Sequence, residues 1–208
     1  FALELEQRNA WEVQIEILQR SLAGLSGRIH LEFDVPRIGS RIDAVLVMPT
    51  VIFPIEFKVG EGSHQRSHLN QAWDYGLDLK NFHKASHAAP IVPILVATES
   101  KDTDDALPEP HPDGVHPPVR ANPESLRKIL DLARSKYAQP AVEVDAWSSA
   151  PYQPTPTIIE AAQSLYSRHS VDAIARHDAG ARNLSITSAR VEELIDQAAR
   201  EKQKLIIF

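Results

Sequence analysis

Two adjacent apolar runs carry the residues that could do chemistry. In "VIFPIEFKVG", residues 51–60, Glu56 and Lys58 interrupt Val51, Ile52, Phe53, Ile55, Phe57 and Val59. Strand side chains alternate between faces, so Glu56 and Lys58 share one face, about 6–7 Å apart, and Val51, Phe53, Ile55 and Phe57 fill the other. Alone, Glu-x-Lys reads as a surface ion pair on a half-exposed strand. The preceding run, "RIDAVLVM" at 41–48, adds an acid to it. Joined as a hairpin through Met48, Pro49, Thr50 and Val51, the two runs set Asp43 directly opposite Glu56, with Arg41 and Val45 on the same side as Asp43. Opposed residues have Cβ atoms about 4.5–5.5 Å apart, and like charges there are destabilising. Three compensations are open: one carboxyl protonated, neutralisation by Arg41 or Lys58, or a divalent cation between the acids.

The cation reading has the widest chemical reach. Hard oxygen ligands suit magnesium, which binds through one or two carboxylates, several waters and substrate phosphate. A lysine on the same face can activate a water or steady negative charge developing on phosphorus. Asp43, Glu56 and Lys58 together therefore suit metal-dependent phosphodiester hydrolysis.

These residues need elements to hold them. "NAWEVQIEILQRSLAGLSG", residues 9–27, spaces Trp11, Ile15, Leu18, Leu22 and Leu25 as one helical stripe, with Gly24 and Gly27 as stop signals. "RIHLEFD" at 28–34 alternates as a half-buried strand and precedes the two strands above. "RSHLNQAWDYGLDLKNFHKAS" at 66–86 predicts a helix, and "PIVPILVAT" at 90–98 a central strand. The Pro-rich, acidic stretch 100–123 reads as a loop too polar to bury. "PESLRKILDLARSKY" predicts a further amphipathic helix and "AVEVDAW" a last short strand. After the linker "SSAPYQPTPT", the stretches "PTIIEAAQSLYSRH", "SVDAIARH" and "SARVEELIDQAAREKQ" read as helical, and "KLIIF" as the start of a strand. Phe1 reads as a point inside a helix, so a piece of a longer protein is expected at both ends.

The pattern resembles the PD-(D/E)XK nuclease superfamily, in which an Asp on one strand is followed by Glu-x-Lys on the next. "RIDAVLVMPTVIFPIEFK" carries that signature with Ile42, not Pro, before Asp43. Gln71 and Tyr75, in "QAWDYGLDL", match the Gln-x-x-x-Tyr of RecB-like members, and an i, i+4 pair shares a helix face. The resemblance implies an α/β, restriction-endonuclease-like core over 1–150, with a mixed central sheet flanked by helices. It implies Asp43, Glu56 and Lys58 as catalytic residues and Mg2+ or Mn2+ as cofactor. Asp43, Glu56, the Phe57 main-chain oxygen and an acid of the first helix would be ligands, Glu12 first and Glu16 second. Gln71 and Tyr75 would position substrate.

"FDVPRIGSRIDAVL", "IEFKVGE", "QAWDYGLDLKNFH" and "PIVPILVAT" look more narrowly like the N-terminal region of Schlafen-like P-loop helicase proteins of prokaryotes. There, residues 151–208 would be a helical segment leading into a helicase domain that binds ATP. The Gly-rich phosphate loop is missing from this sequence, so no residue here is assigned to ATP. The implied partners are DNA, with RNA as the alternative, and the downstream helicase. A part in DNA repair or phage defence follows from resemblance alone, and the rival reading is an inactive nuclease fold that binds nucleic acid or docks proteins.

Other polar residues read more plainly. Asp74 and Asp78 suggest a solvated helix face, and the pairs His64/His68 and His83/His87 suggest surface histidines. Arg37 and Arg41 would contact nucleic acid or partner the acids. Trp11, Trp73 and Phe82 are expected in the core. The absence of cysteine removes disulfides, thiolate zinc sites and iron–sulfur clusters and fits a reducing, cytoplasmic setting. Net charge is −6, so grip on a polyanion must come from a local patch or a neighbouring domain. No apolar run approaches the roughly 18 residues of a membrane span, and no secretory leader is expected.

Overall fold

A computed structural model describes residues 2–36, 39–156 and 158–159. The chain divides into two compact units; the one described below comprises Phe1–Pro110 and Gly114–Thr155. Its elements run α1 (Ala2–Leu22), β1 (Arg28–Val35), β2 (Ser40–Val47), β3 (Ile52–Lys58), α2 (Arg66–Phe82), β4 (Ile94–Ala97), β5 (Val119–Ala121) and α3 (Leu126–Lys136), with 3-10 turns at Lys84–Ser86 and Trp147–Ser149. Arg37 and the helices and strand expected beyond Thr155 lie essentially outside the described residues.

The five strands form one mixed sheet in the order β1-β2-β3-β4-β5. β1, β2 and β3 are antiparallel in sequence, β3 pairs with β4 in parallel, and β4 with β5 in parallel. Parallel neighbours need a crossover, and α2 supplies it between β3 and β4. The four-residue loop Met48–Val51, closed by Met48 N–H donating to the Val51 carbonyl at 3.0 Å, sets the β2–β3 register with Ala44 opposite Ile55 and Val47 opposite Ile52.

Alternation in β3 splits the core into two layers. Val51, Phe53, Ile55 and Phe57 join Ala44, Leu46, Ile17 and Leu18 of α1, and Leu126, Ile129, Leu130 and Ala133 of α3. Ile52, with Val45 and Val47, packs on the other side against Tyr75 and Leu79 of α2. β3 is therefore covered on both faces, and its pair of charges is not a surface pair.

Several expectations fail for physical reasons. The Pro-rich stretch 100–123 is not wholly excluded from the interior: it contributes β5, and Ser100, Val115, His116, Val119 and Ala121 are buried. Arg120 neutralises its acids from within, reaching Asp104 at 2.7 Å and Asp102 at 2.6 Å. "AVEVDAW" forms no strand; Ala141 and Val142 donate to the Pro49 carbonyl, and Trp147 is fully buried with its indole N–H on Ser86 Oγ at 2.9 Å. His83, expected at the surface, is buried against the Trp147 ring at 4.3 Å, and Asp78 is likewise buried. Trp11, expected in the core, keeps 43% of its surface exposed.

Gly76 seats α2 against the sheet: a Cβ there would lie 2.7 Å from the Pro93 ring. Overpacking of this kind costs roughly 1–3 kcal/mol, against about 0.5–1 kcal/mol gained from replacing a helical glycine. Gly76→Ala should therefore lower unfolding free energy in urea by about 1–2 kcal/mol; a neutral or stabilising result would mean that α2 is not held this closely.

Candidate functional site

The acids of the two strands meet where the β2–β3 ladder ends. Ala44 and Ile55 are its last pair on that side, and the next step places Asp43 opposite Glu56. Asp43 continues the pairing with its side chain: its Oδ2 accepts the Phe57 backbone N–H at 2.8 Å. Along an extended strand a residue's N–H and C=O face the same neighbour. The Phe57 carbonyl thus faces Asp43's strand beyond the ladder.

Glu56 is only 4% exposed, and burial comes first among the causes that push its carboxyl up to about 7, followed by the charge of Asp43. Burial also raises Asp43, with the Phe57 N–H and Lys58 opposing it. One Glu56 oxygen, Oε1, accepts from Lys58 Nζ at 2.8 Å; the other, Oε2, is buried without a hydrogen-bond partner. A buried carboxylate oxygen left this way costs about 1–3 kcal/mol or more.

Lys58 is anchored from α2. Its Nζ donates to Gln71 Oε1 at 3.2 Å, Gln71 Nε2 donates to the Tyr75 hydroxyl at 2.8 Å, and that hydroxyl donates to the Arg41 carbonyl at 3.0 Å. An ammonium has no acceptor, so the Gln71 amide can point only one way. Gln71 and Tyr75, four residues apart on one face of α2, thereby bind β3 to β2. Tyr75 is 2% exposed with its hydroxyl engaged in both directions, so it positions Gln71 and Lys58 and offers no free surface to a substrate.

The remaining residues expected at the site fall differently. Glu12 is exposed and faces Arg8 at 3.8 Å, and Glu16 is also exposed. The carboxylate whose charge reaches both Asp43 and Glu56 is Glu32, on β1. Spacing in the first helix could not reveal it; registering the β1–β2 hairpin on its "VPRIGS" turn would have. Arg41 reaches out to Glu32 at 3.2 Å and to Asp34 at 3.9 Å. His64 is half-buried and bonded to the Ala121 carbonyl at 2.9 Å.

Asp43, Glu56 Oε2 and the Phe57 carbonyl make an oxygen-only donor set that suits a hard divalent cation, and the partnerless Oε2 is the observation favouring one. Among the described residues, no three His, Asp or Glu side chains are grouped closely enough to hold a metal by themselves. An ion here would keep water in its shell.

The chain matches no protein-family model, no curated protein and no solved structure.

Folded Glu56 favours its protonated form, so in the metal-free protein its contribution to stability is complete below about pH 4.5 and is lost as pH rises through about 7. The loss amounts to roughly 3 kcal/mol. Thermal unfolding should show Tm falling across that window, and Glu56→Gln should flatten the fall. An unchanged slope in the variant would place the titrating group elsewhere.

Proposed function

We propose that this unit is a metal-dependent nuclease with a restriction-endonuclease-like core, hydrolysing phosphodiester bonds in DNA. One observation carries the reading: a buried acid, Glu56, with one oxygen unsatisfied, stands next to the half-buried Asp43 on the neighbouring strand and beside a lysine fixed by a Gln–Tyr relay. The order α1-β1-β2-β3-α2-β4, with β3 central, supports the fold assignment.

Mg2+ or Mn2+ held by Asp43, Glu56 and the Phe57 carbonyl would supply positive charge where a scissile phosphate gathers negative charge. The side chains have separate tasks. Asp43 and Glu56 would hold the cation through their carboxylate oxygens. Lys58, kept in place by Glu56 and Gln71, presents its ammonium to the attacking water or to the phosphate oxygens. Gln71 and Tyr75 act through Lys58. Arg41, exposed and paired with Glu32 and Asp34, would contact the nucleic-acid backbone.

The setting we propose is cytoplasmic; no helix among the described residues is long and apolar enough to cross a membrane. The net charge of −6 fits a nuclease fed by an ATP-driven helicase domain of the same protein. A second reading, a catalytically silent module for binding nucleic acid or docking proteins, draws on the absence of a three-residue metal cluster among the described residues.

Cleavage of labelled single-stranded and duplex DNA and RNA, with and without Mn2+, separates these readings. Mn2+-dependent cutting of DNA is expected. Asp43→Asn should abolish both cutting and Mn2+ binding, whereas Lys58→Ala should slow cutting by about 10²–10³-fold and leave Mn2+ binding intact. Cutting by Lys58→Ala at the parent rate would remove the assigned mechanism; binding without cutting by the parent would favour the silent module, and cutting of RNA alone would reassign the substrate.

A further inference from the structure

β1 and β2 pair continuously from Arg28 opposite Val47 to Val35 opposite Ser40, except at one step: Glu32 and Asp43 are missing from the ladder. The register nevertheless puts them opposite each other, just as the next hairpin puts Asp43 opposite Glu56. Glu32, Asp43 and Glu56 thus form a row running across three adjacent strands. Neighbouring strands lie about 4.8 Å apart, so three carboxylates in line repel unless something separates or neutralises them.

The backbone departs from strand geometry at the same step. Glu32 has φ of +49°, the left-handed region, and is the one non-glycine residue with positive φ among those described. Such a conformation is uncommon for glutamate, and strain of this kind gathers at functional sites. The alternation of faces breaks at the same step: Ala44 packs on the α1 and α3 side, whereas Ile42 packs on the α2 side. The side chain is held at both oxygens. Its Oε1 accepts from the Trp11 indole N–H at 3.2 Å, and its Oε2 pairs with Arg41 Nη1 at 3.2 Å. Glu32 also lines an open cleft of about 470 Å³ together with His30, Phe33 and Asp34, so water can reach it from that side; Asp43 and Glu56 do not line that cleft.

We infer that Glu32 is the third acid of the site, a positioning residue that holds the water shell of a divalent cation carried by Asp43 and Glu56. The inference rests on the metal-binding reading of that pair. The partnerless Oε2 of Glu56, buried at the end of the same row, is the independent sign of a ligand. An outer-shell place agrees with the lack of a direct three-carboxylate cluster among the described residues, and with magnesium's habit of keeping several waters. Arg41 then has a second part: paired with Glu32, it keeps this carboxylate from closing on Asp43 until the cation arrives.

Calorimetric titration with Mn2+ alone tests this, with far-UV circular dichroism confirming the fold of each variant. Loss of an outer-shell partner typically weakens metal affinity about 10–100-fold. Glu32→Gln should weaken Mn2+ binding at least about tenfold. Glu12→Gln should match the parent, and Arg41→Gln, which removes a positive charge, should bind as tightly as the parent or tighter. Parent-like affinity in Glu32→Gln overturns the inference, as does equal weakening in Glu32→Gln and Arg41→Gln, which would make the ion pair merely structural. A parent that binds no Mn2+ instead removes the metal site itself, a different result from either.

Discussion

The structure turns on a carboxylate placed where a sheet has little use for one. Glu56 sits on the central strand, covered on both faces, next to Asp43 on the adjoining strand. Buried charges carry desolvation costs that an ion pair seldom recovers in full, and an apolar pair of similar volume is often at least as stable. Lys58 satisfies one oxygen of Glu56 and leaves the other without a partner. That arrangement makes sense for a site whose last ligand arrives from outside.

The fold explains how so unfavourable a group is kept in place. From Glu56 the relay runs through Lys58 and Gln71 to Tyr75 and the Arg41 carbonyl, joining β3, α2 and β2 in one set of directed hydrogen bonds. α2 can serve this purpose because it is the crossover between parallel strands, packed by Tyr75 and Leu79 onto the face that Glu56 and Lys58 share. Lys58 is the last residue of β3, at the carboxyl end of the parallel pair, which is where open α/β sheets usually receive ligands. Scaffold and site are thus built from the same few contacts.

Much of this is readable in the sequence, for identifiable reasons. A four-residue loop between two apolar runs leaves little freedom in register, so the opposition of Asp43 and Glu56 followed from counting. The i, i+4 spacing of Gln71 and Tyr75 likewise placed both on one helix face. Glu32 was not legible because nothing in residue type announces a glutamate at positive φ. The 100–123 stretch misled through composition: its acids look solvated, yet Arg120 answers them locally while Val115, Val119 and Ala121 enter the core. Trp147 fills a core position from an irregular segment, which no periodicity can reveal.

Anomalous diffraction from crystals soaked in Mn2+ addresses the central claim most directly. The account predicts a manganese peak at bonding distance from Glu56 Oε2 and an Asp43 oxygen, with Lys58 alongside and Glu32 facing it across water. Well-ordered crystals with no peak between those two acids, at an ion concentration that occupies other sites, would contradict it.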